Sequence, residues 1–146
     1  MPKTTTALET PLRAQLDRLA EFEPSELPVP SVYLDMRPDQ HGRPHHEPLL
    51  RKIFPERIRT LKGEARKSFE RDVERITAHL ANVPASANGL AIFACDGRDF
   101  FKAVQLDAPI EHHWLFIGSV PHIYPLARLV DQHPRYAALL LDTNSA

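Results

Sequence analysis

Nine of the chain's 18 lysines and arginines crowd into one short segment: Arg51, Lys52, Arg57, Arg59, Lys62, Arg66, Lys67, Arg71 and Arg75 face only Glu56, Glu64, Glu70, Asp72 and Glu74. Lys67, Arg71 and Arg75 repeat at i, i+4, i+8, which on a helix makes one exposed column. Such a column can follow a phosphate backbone, since lysine and arginine supply the sequence-independent part of nucleic-acid affinity. Glu70 and Glu74 stand beside it, so helix-surface ion pairing is the competing reading. The aromatic residues of this segment, Phe54 and Phe69, belong to its apolar stripes, so none is placed among the cations for base stacking, which argues against the reading of single-stranded bases.

The other chemistry-bearing residues offer less. His41, His45 and His46 share the loop "RPDQHGRPHHEP" (37–48), and His112 with His113 precedes a strand. A metal site needs ligands fixed in geometry and supported from behind, which a proline-rich loop does not supply. Cys95 follows "LAIFA" and reads as a buried thiol closing a core strand, although a nucleophile is the alternative if a base stands beside it. Asp35, Asp39 and Asp96 sit at strand ends, where aspartate is also the common turn residue. The chain carries no G-x-S-x-G, no phosphate-binding glycine loop and no H-E-x-x-H. The expectation is a protein without catalytic residues, metal or cofactor.

These residues need elements to position them. Thr10-Pro11 suits a helix start, and Leu12, Leu16 and Leu19 supply its apolar stripe, ended by Pro24 and the stiff linker "EPSELPVP" (23–30). "SVYLDM" (31–36) predicts a strand. Leu50, Phe54, Ile58 and Leu61 predict a helix kinked at Pro55, and Phe69, Val73, Ile76 and Leu80 predict a second one after the Lys62-Gly63 turn. The two form a helical hairpin whose outer faces carry the basic cluster. Beyond residue 89 the period changes to that of strands: "LAIFAC" (90–95), "FFKAVQL" (100–106) and "WLFIG" (114–118), the first two joined by "DGRD". A helix over 121–132 and a last strand, "YAALLLD" (136–142), follow. The fold class expected is α+β, a mixed sheet covered by helices, with a basic helical hairpin.

At 146 residues and 42% hydrophobic the chain suits one domain with a real core. Its net charge of −1 gives the whole molecule no strong pull toward nucleic acid, so the local basic cluster matters more than the total. The acidic balance lies upstream, where Glu9, Asp17, Glu21, Glu23 and Glu26 outnumber Arg13 and Arg18. A single cysteine forbids an internal disulfide and fits a reducing cytoplasm. No apolar run is long enough for a membrane span, and the opening residues lack the apolar core of a secretory leader.

"PASANGLAIFACDG" (84–97) followed by "KAVQLDAPIEHHWLFIGSVPHIYPLARLVDQHPRYAALLLDTNSA" (102–146) resembles the N-terminal domain of class-I eukaryotic and archaeal peptide chain release factors and their Pelota-like relatives. Asn88-Gly89, Pro109, His122, Leu126, Leu129 and Asp142-Thr143 fall where that pattern places them. "SVYLDMRPDQ" and the basic hairpin are similar to the prokaryotic branch, the bacterial and archaeal release-factor-like (baeRF) families. The resemblance spans about residues 31–146 and rests on many small matches. It implies three segments: an N-terminal helix and linker over 1–30, a release-factor-like domain over 31–135, and over 136–146 the start of a truncated second domain. In translation-terminating members peptidyl-tRNA hydrolysis depends on a Gly-Gly-Gln loop of the following domain, a loop these residues do not contain.

The departures are equally informative. Codon-reading members carry Asn-Ile-Lys-Ser at the hairpin tip, where this chain has "RTLKGEARKS". They also carry a Tyr-x-Cys-x-x-x-Phe element, whose matching positions here are Leu115, Ile117 and Pro121. Stop-codon recognition is therefore not expected. The expected role is that of a non-catalytic cytoplasmic domain directed to the ribosome or to tRNA-like RNA, with Arg57, Arg59, Lys62, Arg66, Lys67 and Arg71 on phosphates. The alternative is a protein-interaction module that keeps the fold and does not bind RNA. No membrane partner is expected, and self-association through the terminal strand is open.

Overall fold

A computed structural model describes residues 12–38, 40–42, 46–83, 88–107, 110, 112–132 and 140–142. Thr10-Pro11, Asp39, His45, Pro109 and the segments 133–139 and 143–146 lie outside them. The elements are α1 (Leu12–Ala20), β1 (Val29–Asp35), α2 (His46–Arg59), α3 (Gly63–Leu80), β2 (Gly89–Cys95), a 3-10 turn (Asp96–Arg98), β3 (Phe100–Leu106), β4 (Trp114–Gly118), α4 (Tyr124–Gln132) and β5 (Leu140–Asp142).

The fold is α+β. Five strands form one sheet in the order β4-β1-β2-β3-β5. Every pairing is antiparallel, where a mixed sheet was expected. The reason lies in the connection from β1 to β2. It is a helical hairpin, and two helices running out and back return the chain to the end it left. A single crossover helix would have given a parallel pair.

The sheet is covered on both faces, because its alternating side chains supply two apolar surfaces. Tyr33, Ala91, Phe93, Val104 and Leu106 meet α1 and α4 through Leu12, Leu16, Leu19 and Leu126. Val32, Leu34, Leu90, Ile92, Ala94 and Ala103 meet α2 and α3 through Leu50, Phe54, Phe69 and Ile76. Central strands β1 and β2 are consequently buried at every position. Helix α1 thus shares its core with the sheet, using the leucine stripe read from the sequence.

β1 begins two residues before the predicted strand. Val29 and Pro30 pair with β4 alone, and pairing with β2 starts at Ser31. A proline lacking an N–H is tolerated where a neighbouring strand is missing on one side. The terminal segment expected to open a second domain enters the sheet over Leu140–Asp142, opposite Leu106, Gln105 and Val104 of β3. No helix among the described residues is long and apolar enough to cross a membrane.

Candidate nucleic-acid interface

The α2–α3 hairpin is held by its inner face. Phe54 meets Phe69 edge-on, with ring centroids 6.2 Å apart at 81°. Ile76 and Phe69 are fully buried against the sheet. Helix α2 runs on past Pro55 to Arg59. It then closes with the Thr60 and Leu61 N–H groups donating to the carbonyls of Arg57 and Ile58 at 3.0 and 3.1 Å. Gly63 takes φ +62°, a left-handed conformation that glycine reaches at no steric cost and that reverses the chain here.

The tip carries Arg57, Arg59 and Lys62. Arg59 and Lys62 are exposed and Arg57 is half-buried. None of the three has an ion-pair partner among the described residues. Arg57 and Arg59 lie in the last turn of α2, where the carbonyl end of a helix favours cations, so local electrostatics accounts for them in part. Lys62 is different. It precedes α3 at the cap position, with extended φ −139° and ψ 158° and no side-chain cap bond. Short polar side chains are preferred at that place, and a cation there opposes the helix dipole. The cap geometry of α3 therefore gives no reason for lysine at this position.

Along α3 the cations are answered. Arg66 reaches Glu70 at 3.4 Å, Lys67 reaches Glu64 at 3.8 Å, and Arg71 reaches Asp96 in the 3-10 turn at 3.3 Å. The Arg75 guanidinium lies 4.7 Å from the Phe101 ring centre, a cation-π contact with β3. The column Lys67, Arg71, Arg75 thus exists as a helical row. Its C-terminal members turn toward the β2–β3 junction, and the free positive charge is concentrated at the tip.

The remaining sequence candidates gather elsewhere. Asp35, at the end of β1, is gripped by Arg37: Nε and Nη2 each donate to one carboxylate oxygen at 2.9 Å. The Asp35 N–H donates to Nδ1 of His113 at 3.1 Å, which leaves the ring proton of neutral His113 on Nε2. The rings of buried His46 and of His113 stand 6.4 Å apart, so the two histidine groups of the sequence do meet. No group of three or more His, Cys, Asp or Glu among the described residues is arranged to hold a metal. Cys95 is fully buried, its Sγ 3.7 Å from Ser25 Oγ.

One arrangement is new. Asp72 Oδ1 accepts the Asp96 N–H at 2.8 Å, and Ser68 Oγ, one helical turn away, accepts the Gly97 N–H at 3.2 Å. Burial pushes the Asp72 carboxyl up to about 7, and the nearby Asp96 carboxylate adds to the rise. The Asp96 N–H and Arg75 oppose it. The sequence holds a signal for this, since Asp72 stands three residues after Phe69 and four before Ile76, inside the apolar stripe. The chain matches no protein-family model, and no curated protein matches it.

Proposed function

We propose that this chain is a non-catalytic RNA-directed domain of a release-factor-like translation or stalled-ribosome factor, one that works at the ribosome or on tRNA-like RNA in the cytoplasm and does not read stop codons. The observation that carries this reading is the hairpin tip, where Arg57, Arg59 and Lys62 hold positive charge with no acidic partner among the described residues. The resemblance of residues 31–146 to release-factor N-terminal domains supports it. Arg66, Lys67 and Arg71 extend the surface along α3, each with its charge already partly met.

Binding of this kind is electrostatic and weakens steeply with salt. The test is co-sedimentation with ribosomes, and titration of a tRNA, across a salt series. The expected result is affinity that falls steadily with salt and drops on reversing Arg59 and Lys62 to glutamate. Affinity indifferent to both overturns the proposal.

A second reading, a protein-interaction module without RNA, is favoured by one observation: the ion pairs Arg66–Glu70, Lys67–Glu64 and Arg71–Asp96 make the flank of α3 a mixed-charge surface. Recovery of a protein partner with no RNA binding at low salt supports that reading over the first.

A further inference from the structure

β4 forms one edge of the sheet, paired with β1 on one side and with no strand among the described residues on the other. Its five residues are all half-buried or exposed, whereas β1 and β2 are buried throughout. Edges left open in soluble proteins are usually blunted by charge, proline, a bulge or a covering segment. "WLFIG" (114–118) carries neither charge nor proline. Trp114 at 47% exposure, with Val120 at 41% and Tyr124 at 62% close behind in sequence, makes this the stretch of the described chain with exposed large apolar side chains.

We infer that this edge is the interface with a second copy of the chain, β4 pairing antiparallel with β4 about Phe116 so that two sheets join into one. A two-fold interface needs a surface complementary to itself, and this strand has one. Centred on Phe116, the register sets Trp114 opposite Gly118 of the second copy, Leu115 opposite Ile117, and Phe116 opposite itself. The bulkiest side chain therefore meets the position that has none. A Cβ placed on Gly118 would find nothing nearer than the Val120 carbonyl oxygen at 3.8 Å, so the space is open.

Charge is compatible with the same occupant and disfavours a charged one. All five positions are neutral, so self-pairing sets no like charges against each other, and a charged peptide would find no complement along the strand. The rings are also held in advance. Trp114 stacks on Phe116 at 5.3 Å and 29°, and Phe116 lies 3.8 Å from His122, which lowers the ordering cost of association. The opposite edge, where the sequence leaves self-association through the terminal strand open, is a weaker candidate: β5 is three residues long and includes Asp142.

Such an interface is at the small end of specific ones, so the dimer is concentration-dependent. The experiment is sedimentation velocity of the whole chain from about 1 to about 200 µM, with the emission of Trp114, the only tryptophan, followed in parallel. The expected result is a sedimenting mass that doubles with concentration while the emission maximum moves to the blue. Trp114→Lys should remain monomeric at every concentration with an unchanged circular dichroism spectrum. Gly118→Val fills open space in a strand and so keeps the fold, yet should weaken the dimer about tenfold or more by removing room for Trp114. A monomer throughout, including one that captures an added extended peptide, overturns the inference. So does a dimer indifferent to both substitutions.

Discussion

Asp72 on α3 and Asp96 in the β2–β3 turn are joined by a 2.8 Å hydrogen bond in which a buried carboxylate oxygen accepts a backbone N–H. The bond ties the helical hairpin to the sheet at the turn that Arg71 also reaches. Asp72 is fully buried, and its Oδ2 has no hydrogen-bond partner among the described residues. This carboxyl is consequently easier to bury with its proton on.

The pH dependence follows from the direction of that shift. The folded-state value of about 7 stands above the ordinary 3.8. The contribution of Asp72 is therefore complete below its unfolded pKa and is lost as pH rises through about 7. The span corresponds to at most about 4 kcal/mol. Asp72→Asn keeps an oxygen for the Asp96 N–H and removes the ionisation. In urea unfolding the variant should match the parent at about pH 3, below the unfolded pKa, and exceed it by on the order of 2 kcal/mol at about pH 8. A parent whose stability relative to the variant does not change with pH would show that Asp72 ionises without penalty.

Gly97 yields a steric prediction at the same turn. A Cβ there would overlap Leu27 Cδ1 and lie 3.1 Å from its Cγ, so the Leu27 side chain must turn away. Gly97→Ala should cost about 1–2 kcal/mol. The cost should shrink by about half or more in a Leu27→Ala background, because the obstructing atoms are gone. Equal costs in the two backgrounds would place the strain in the backbone of the turn instead.

The local elements were legible because their signals are local. β3 and β4 occupy 100–106 and 114–118, where short apolar runs between turn residues placed them. The helical stripes of α1 and α3 likewise face the core. What escaped depends on distant partners. The helix predicted from 121 begins at Tyr124, since the His122 N–H donates to Ser31 Oγ at 2.9 Å and its carbonyl accepts from Tyr33 at 2.6 Å. Both partners lie on β1, far away in sequence. The basic column was legible as a row, yet the acid across from Arg71 sits in another element, so spacing along α3 could not show which cations stay unanswered.

The Tyr33–His122 contact is itself testable. Tyr33 is fully buried, its ring edge-on to Phe93 and Phe116, and burial raises the pKa of its hydroxyl. Tyr33→Phe preserves these ring contacts and removes the donor to the His122 carbonyl. The expected loss is about 1–2 kcal/mol in chemical denaturation. Hydrogen exchange should rise first at the start of α4, which this bond anchors to the sheet. Uniformly faster exchange across the sheet would mean that the bond supports the core as a whole rather than the entry to the helix.

Lys62 separates structure from binding most cleanly, because the two make opposite demands on it. Its extended backbone before α3 suits a short acceptor side chain, and a negative charge there would favour the helix dipole. Lys62→Asp should therefore raise stability by about 0.5–1 kcal/mol while lowering RNA affinity and reducing the salt slope of binding by roughly one contact. Lys67→Glu, by contrast, sets a like charge beside Glu64 where a cation stood 3.8 Å away, and should lower stability slightly along with binding. Thermal unfolding and a tRNA titration on the same two variants decide the matter. A Lys62→Asp protein that is more stable and binds RNA as before would remove the hairpin tip from the interface. One that is less stable would mean that the lysine serves the fold after all.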